Sequence, residues 1–231
     1  LINFGERIMD YISIAVDGPA GAGKSSVSKA VAKKLGFVYI DTGAMYRTVA
    51  LNAIRRGIDC RKEPEKVVEA LKDAEIEIKY LQETQHIYLN GEDVSGEIRT
   101  EQVSVGASDV AVISEVRKKL VSMQQEMAKN ANVIMDGRDI CNHVLPKAQV
   151  KIFLTASVDE RASRRFNEMT EKGVKCDFEE LKREIEYRDR NDSEREEAPL
   201  RQAPDAVLLD TTGMTFDEVV KKVTEMAEAV M

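Results

Sequence analysis

A chain of 231 residues, 43% hydrophobic and 32% charged, is long enough for one α/β domain with insertions and can bury a core without disulfides or a structural metal. The formal net charge of −7 repels nucleic acid and anionic lipid, so neither is expected as a partner and any anion site must be built locally. Three cysteines with no CxxC pair fit reduced thiols better than a secreted disulfide framework, and with only two histidines there is too little material for a zinc site.

Met9 stands directly before the first strand pattern, and the preceding LINFGERI lacks the long apolar region of a signal peptide. Residues 1–8 are therefore read as a leader or upstream remnant. No apolar run approaches the roughly 20 residues of a membrane-spanning helix, and a soluble, cytoplasmic monomer is expected. Buried strands are predicted at 11–16, 37–41, 132–136, 149–156 and 206–210, where runs rich in β-branched residues lie between turn signals. Helical patterns at 24–35, 43–56, 109–129, 159–172, 178–191 and 215–230 alternate with them. That alternation argues for a doubly wound α/β fold with a five-stranded parallel sheet. The stretch IEIKYLQETQHIYLNGEDVSG, 76–96, breaks the alternation. Its period of two and its Asn90-Gly91 turn predict a small antiparallel hairpin or three-stranded sheet, inserted into the main fold at about 73–107. The span 157–200 interleaves acidic and basic residues. It reads either as two solvated helices laced by i,i+4 pairs or as a lid whose arginines close over phosphates.

Gly18, Pro19, Ala20, Gly21, Ala22, Gly23, Lys24 and Ser25, with Ser26 next, match G-x-x-x-x-G-K-[ST] between a predicted strand and a predicted helix. The glycines let backbone N–H groups converge on phosphates, and the helix N-terminus adds positive charge. Lys24 is expected to reach the β and γ phosphates and Ser25 to ligate the metal, which points to ATP with Mg²⁺ as the donor. No guanine-reading NKxD string is present, so a small-molecule kinase is favoured over a GTPase switch.

On the acceptor side, Asp41-Thr42-Gly43 caps a helix that presents Tyr46 and Arg47. An arginine there can meet a phosphate entering at the carboxyl ends of the strands. Asp136-Gly137-Arg138-Asp139 sets two carboxylates and one arginine on a tight loop. Each string taken alone is also compatible with ordinary loop capping.

Taken together, VDGPAGAGKSS, DTGAMYR, NGEDVSGEIRT (90–100), DGRD, and RDRNDSER (188–195) followed by APL resemble the bacterial cytidylate kinases, P-loop kinases that phosphorylate CMP and dCMP. The similarity runs in order from about residue 11 to the C-terminus. GEDVSGEIRT within an inserted sheet is its most specific part. The resemblance implies that Thr42, Arg47 and Arg138 contact the acceptor's phosphate, that Ser108, Arg117 and Asp139 read cytosine, and that Arg188 and Asp192 hold the ribose. It implies a core of 9–42, 108–156 and 201–231, a monophosphate-binding region of 43–107, and a lid of 157–200. A carboxylate and a hydroxyl suit cytosine's exocyclic amino group, and an arginine suits its acceptors. Uracil would set a carbonyl against Asp139, leaving two acceptors without a proton between them.

The expected catalytic charges are Lys24, Arg138 and Arg188, helped by Arg47, Arg195 and Mg²⁺. A histidine base is not required, because the acceptor phosphate, with a second pKa of about 6, is already ionised at neutral pH. Two departures from the family pattern matter. Ile140-Cys141-Asn142 replaces the usual apolar residue and Gly-Thr, so the loop aiming Asp139 is expected to follow a different path. Asn191 stands where an arginine is common. Cys141 reads as a passive thiol. The alternatives are a kinase for another acceptor such as UMP, and a binding protein in which the nucleotide only switches conformation.

Overall fold

The computed structural model describes residues 11–81 and 84–231. The expected leader, the first two residues of the expected core segment and residues 82–83 lie outside the described residues. The central sheet holds β1 (Ser13–Asp17), β2 (Val38–Asp41), β6 (Val133–Gly137), β7 (Val150–Thr155) and β8 (Val207–Asp210) in the order β2-β6-β1-β7-β8. Every pairing is parallel. The five predicted strands are all present within about two residues at each end. Strands buried on both faces read as continuous apolar runs: Ile14, Ala15 and Val16 of β1 are wholly inaccessible.

One face of the sheet is covered by α1 (Lys24–Leu35) and α8 (Phe216–Glu228), whose Val27, Val31, Val219 and Val223 pack with Ile14, Val16 and Ile152. On the other face Ala15, Met135 and Val133 meet Ile140, Val144 and Ala203. A larger apolar cluster joins α2 (Thr42–Arg55), α3 (Pro64–Lys72), α4 (Glu101–Val110) and α5 (Ser114–Met127) to the small sheet, through residues such as Met45, Leu71, Ile87, Val103 and Leu120.

That small sheet is antiparallel: β3 (Ile76–Leu81), β4 (Thr84–Leu89) and β5 (Glu92–Asp93). Asn90 and Gly91, both left-handed at φ 51° and 82°, join the last two strands, as a two-residue hairpin turn requires. Three helical expectations change. α4 (Glu101–Val110) lies almost wholly before residue 109, in a stretch where no helix was predicted. α3 was not anticipated; it starts with Pro64 in its first turn, where a missing N–H costs nothing. The helix predicted over 109–129 is broken between α4 and α5, because Ile113 is extended at φ −82° and ψ 117°. The charged span folds into α6 (Val158–Glu171) and α7 (Phe178–Glu194), with Ser157 and Asp177 accepting the N–H groups of Glu160 and Glu180 as caps.

Candidate active site

β1, β2 and β6 end side by side on Asp17, Asp41 and Gly137. The crevice outside those carboxyl ends is where open α/β sheets take ligands, and most of the anticipated residues converge there.

The turn after β1 is forced to be glycine by its surroundings. At Gly18, φ is 150° and an added Cβ would lie 1.9 Å from the Leu154 carbonyl oxygen. Gly23, left-handed at φ 88°, is the N-cap of α1 and supplies no side-chain acceptor, so the first-turn N–H groups are left for an anion. Lys24 folds back over this turn, its Nζ donating to the carbonyls of Gly18 and Pro19 at 2.7 Å each. Burial, aided by the nearby Arg138 charge, pushes its ammonium down to about 7.

The Ser25 hydroxyl donates to Asp136 Oδ2 at 2.8 Å, and Tyr39 Oη donates to Asp136 Oδ1 at 2.6 Å. Thr42 donates its hydroxyl to the Asp136 backbone carbonyl at 2.7 Å. Asp136 is 5% exposed; burial, then the Asp41 charge, raises its pKa. A buried carboxylate beside a hydroxyl, both at the mouth of a phosphate cradle, is a hard oxygen donor set of the kind magnesium takes with nucleotide phosphates. The residues present therefore fit Mg²⁺ with ATP.

Asp41 caps α2 by accepting the Ala44 N–H at 2.9 Å and pairs with Arg47 Nη2, also at 2.9 Å. The buried Nε of Arg47 has no hydrogen-bond partner. Arg138 Nε donates to Asp192 Oδ2 at 2.6 Å, which brings the β6 loop and α7 together. Burial works to raise Asp192, but the charge and hydrogen bond of Arg138, together with the charges of Arg195 and Arg188, outweigh it and hold the carboxyl below its usual range. Arg188 lies near the same pair; burial and the like charge of Arg138 lower its pKa.

Asp139 is 6% exposed and Arg117 likewise, and Arg117 Nη2 donates to Asp139 Oδ2. Arg195 Nη2 approaches Asp139 Oδ1 at 3.7 Å without a hydrogen bond, and Arg195 Nε donates to the Ala198 carbonyl at 2.6 Å. Ser108 is half-buried on α4, and among the described residues it joins this pair through no hydrogen bond. After Asp139 the chain makes a π-turn over Ile140–Val144. Cys141 is buried with its Sγ against the Ala15 carbonyl at 3.6 Å. Its φ is not positive, so the Cβ that replaces a glycine of the family pattern meets no backbone penalty. Burial and the Asp17 carboxylate push its thiol up, in keeping with a passive role.

Three residues of the site were not anticipated. Tyr39 was read only as part of a strand, Asp17 only as the residue before the glycine-rich turn, and Arg161 only as one of many charges on α6. Arg161 is 3% exposed, donates to the Ala20 carbonyl of the phosphate turn at 2.8 Å, and pairs with Asp189 of α7 at 2.6 Å. The two charged helices thus dock on the cradle. The available signals were the run of β2, buried on both faces, that encloses Tyr39 and a helical period that points Arg161 inward.

A phosphate cradle on a five-stranded parallel sheet, facing a set of arginines, defines a P-loop kinase. Solved structures share the fold: a gluconokinase from Sinorhizobium meliloti (TM-score 0.50, 14% identity, 94% of this chain and 92% of that one) and an uncharacterized protein from Eubacterium ventriosum (TM-score 0.52, 11% identity, 94% and 98%). Within that class, the model of the cytidylate kinase family matches residues 14–229, and the chain belongs to that family. It is 53% identical over 218 residues to the cytidylate kinase of Caldicellulosiruptor saccharolyticus, covering 94% of this chain and 96% of that one. It is 52% identical to the cytidylate kinase of Bacillus cereus, with 95% and 97% covered.

Proposed function

We propose that the protein is a (d)CMP kinase, moving the γ-phosphoryl group of ATP to the α-phosphate of CMP or dCMP and giving ADP with CDP or dCDP. The observation that carries this reading is the four-residue segment Asp136–Asp139 at the end of β6 and just beyond it. Its first carboxylate is bonded to Ser25 of the phosphate cradle, and its last is paired with Arg117, both buried. One short segment therefore joins the proposed donor site to a charged pair able to read a base.

The donor's phosphates would lie on the turn Gly18–Ser26, with Lys24 exchanging two carbonyl partners for phosphate oxygens. Ser25 and Asp136 would hold Mg²⁺, which when bound supplies charge neutralisation for the phosphates. Arg47, with an unbonded Nε, and Arg138 would take the acceptor phosphate, and Arg188 and Asp192 the ribose. Asp139 would accept the cytosine amino group while Arg117 donates to the ring acceptors, with Ser108 at the edge of the pocket. The acceptor oxygen is already anionic, so these residues position and neutralise two polyanions instead of moving a proton.

In this reading 9–42, 108–156 and 201–231 form the core, and 43–107 the monophosphate-binding region with its small sheet. The α6–α7 pair within 157–200 is a lid that excludes water. Among the described residues no helix is long and apolar enough to cross a membrane. We place the enzyme in the cytoplasm as a monomer with nucleotides and no nucleic acid as partners. Chromatography of a reaction containing ATP, Mg²⁺ and CMP should show CDP and ADP in equal amounts. ATP hydrolysis without CDP, unstimulated by any monophosphate, would mark a nucleotide switch instead.

A further inference from the structure

Asp17 is a carboxylate at zero exposure. It is the last residue of β1, directly before Gly18 of the phosphate cradle. Among the described residues it has no cationic hydrogen-bond partner. Its two oxygens instead accept the backbone N–H groups of Ile140 and Cys141, each at 2.8 Å. Burial raises its pKa, and those two N–H groups oppose the rise. A charge so costly to bury is held by two consecutive amides, and they belong to the two residues that follow Asp139.

The arrangement fixes the peptide leaving Asp139. β1 pairs with β6 up to Asp17 and Gly137; beyond that point no ladder bond constrains the loop. Asp139 itself has φ −150° and ψ 23°, an irregular conformation that strand pairing does not impose. The π-turn closes on its own backbone bonds, from the His143 N–H to the Asp139 carbonyl and from the Leu145 N–H to the Ile140 carbonyl; the bidentate grip of Asp17 on the next two amides ties the start of that turn to the end of β1, with the Asp139 side chain facing Arg117.

We infer that Asp17 is a positioning residue for base recognition, acting through the Ile140 and Cys141 amides to aim Asp139 at the acceptor's pyrimidine ring. This rests on the reading of Asp139 given under Proposed function. It also gives the residue after β1 a role on the acceptor side, although its chain neighbour serves the donor. Asp17→Asn keeps the shape but turns one acceptor into an NH₂ group facing an N–H, so one amide loses its partner.

The test compares kcat/KM for CMP and UMP, and KM for ATP, in the wild-type enzyme, Asp17→Asn, Asp139→Asn and the double variant, below the melting temperature of each. Asp17→Asn should raise KM for CMP and lower the CMP-to-UMP ratio by about tenfold or more, the scale of one unsatisfied buried group. KM for ATP should change much less, and the double variant should lose no more discrimination than Asp139→Asn alone. A general loss of stability would lower CMP and UMP turnover together and would not produce this non-additivity. If Asp17→Asn does not fold, Asp17→Ser, which keeps one acceptor, is held to the same outcomes. An unchanged CMP-to-UMP ratio, or losses that add in the double variant, would overturn the inference. If Asp139→Asn itself keeps the wild-type ratio, the base-reading assignment fails and this inference falls with it.

Discussion

Ser25 and Asp136, 111 positions apart in the chain, are joined by a 2.8 Å hydrogen bond. The sheet order makes this possible, because β6 lies beside β1 and so its terminal carboxylate reaches the first turn of α1. Tyr39 occupies the other oxygen of the same carboxylate, leaving Asp136 one orientation.

If Asp136 and Ser25 hold the metal, Asp136→Asn should cut kcat by about 100-fold or more, the scale seen when one preorganised charge-stabilising group is removed. The Mg²⁺ concentration for half-maximal rate should rise. Steady-state rates across a Mg²⁺ titration, with thermal melts to show an intact fold, check this. An unchanged Mg²⁺ requirement would remove Asp136 from the metal site.

Lys24 gives a pH dependence with a definite sign. Its pKa in the free protein is pushed down to about 7 by burial and by Arg138, and a polyphosphate ligand favours the charged form. ATP binding at a pH of about 8 should therefore take up a fraction of a proton, and affinity should weaken as pH rises above about 7. Calorimetry in two buffers of different ionisation enthalpy measures that uptake, which should vanish in Lys24→Met. Proton release on binding would contradict the assignment.

Among the described residues Arg47 makes no hydrogen bond to Ser108, Arg117 or Asp139, and its guanidinium has one bond to Asp41. Arg47→Ala should raise KM for CMP, dCMP and UMP alike by about 10- to 100-fold, the worth of a charge-assisted hydrogen bond. A selective loss for one base would place Arg47 elsewhere.

Two glycines with positive φ separate steric need from backbone preference. Gly18→Ala drives a Cβ to 1.9 Å from a backbone oxygen, whereas an added Cβ at Gly36, the C-cap of α1 at φ 67°, meets nothing within 4 Å. Gly36→Ala should cost about 1 kcal/mol and Gly18→Ala about 3 kcal/mol or more. Urea melts of both variants compare the two directly.

The strands were legible because parallel strands buried on both faces leave apolar runs that little else explains, as in Ile12 to Val16 and Val150 to Leu154. The Asn90-Gly91 turn was legible for a similar reason: few dipeptides suit two successive left-handed residues. α3 was missed because its one strong signal, Pro64, marks a helix start only when the helix is already suspected. The break at Ile113 was missed because the apolar period continues across it. In the candidate site, the P-loop, Arg47, Arg138, Asp139, Arg188 and Asp192 were singled out through their strings, and Ser108 and Arg117 only through the family resemblance. The bonds from Asp17 to the Ile140 and Cys141 amides, from Tyr39 to Asp136 and from Arg161 to the Ala20 carbonyl span 97 to 141 positions. Such pairs are set by strand order and helix docking, which no local pattern encodes.

The central claim is that a buried Asp139 paired with Arg117 selects cytosine, and a coupled assay of ADP release with CMP, dCMP, UMP and AMP tests it most directly. The proposed reading of Asp139 and Arg117 predicts that kcat/KM for CMP and dCMP exceeds that for UMP and AMP by about 100-fold or more, the discrimination available to a site whose polar groups would be left unpaired by the wrong base. AMP or UMP phosphorylated as efficiently as CMP would contradict it.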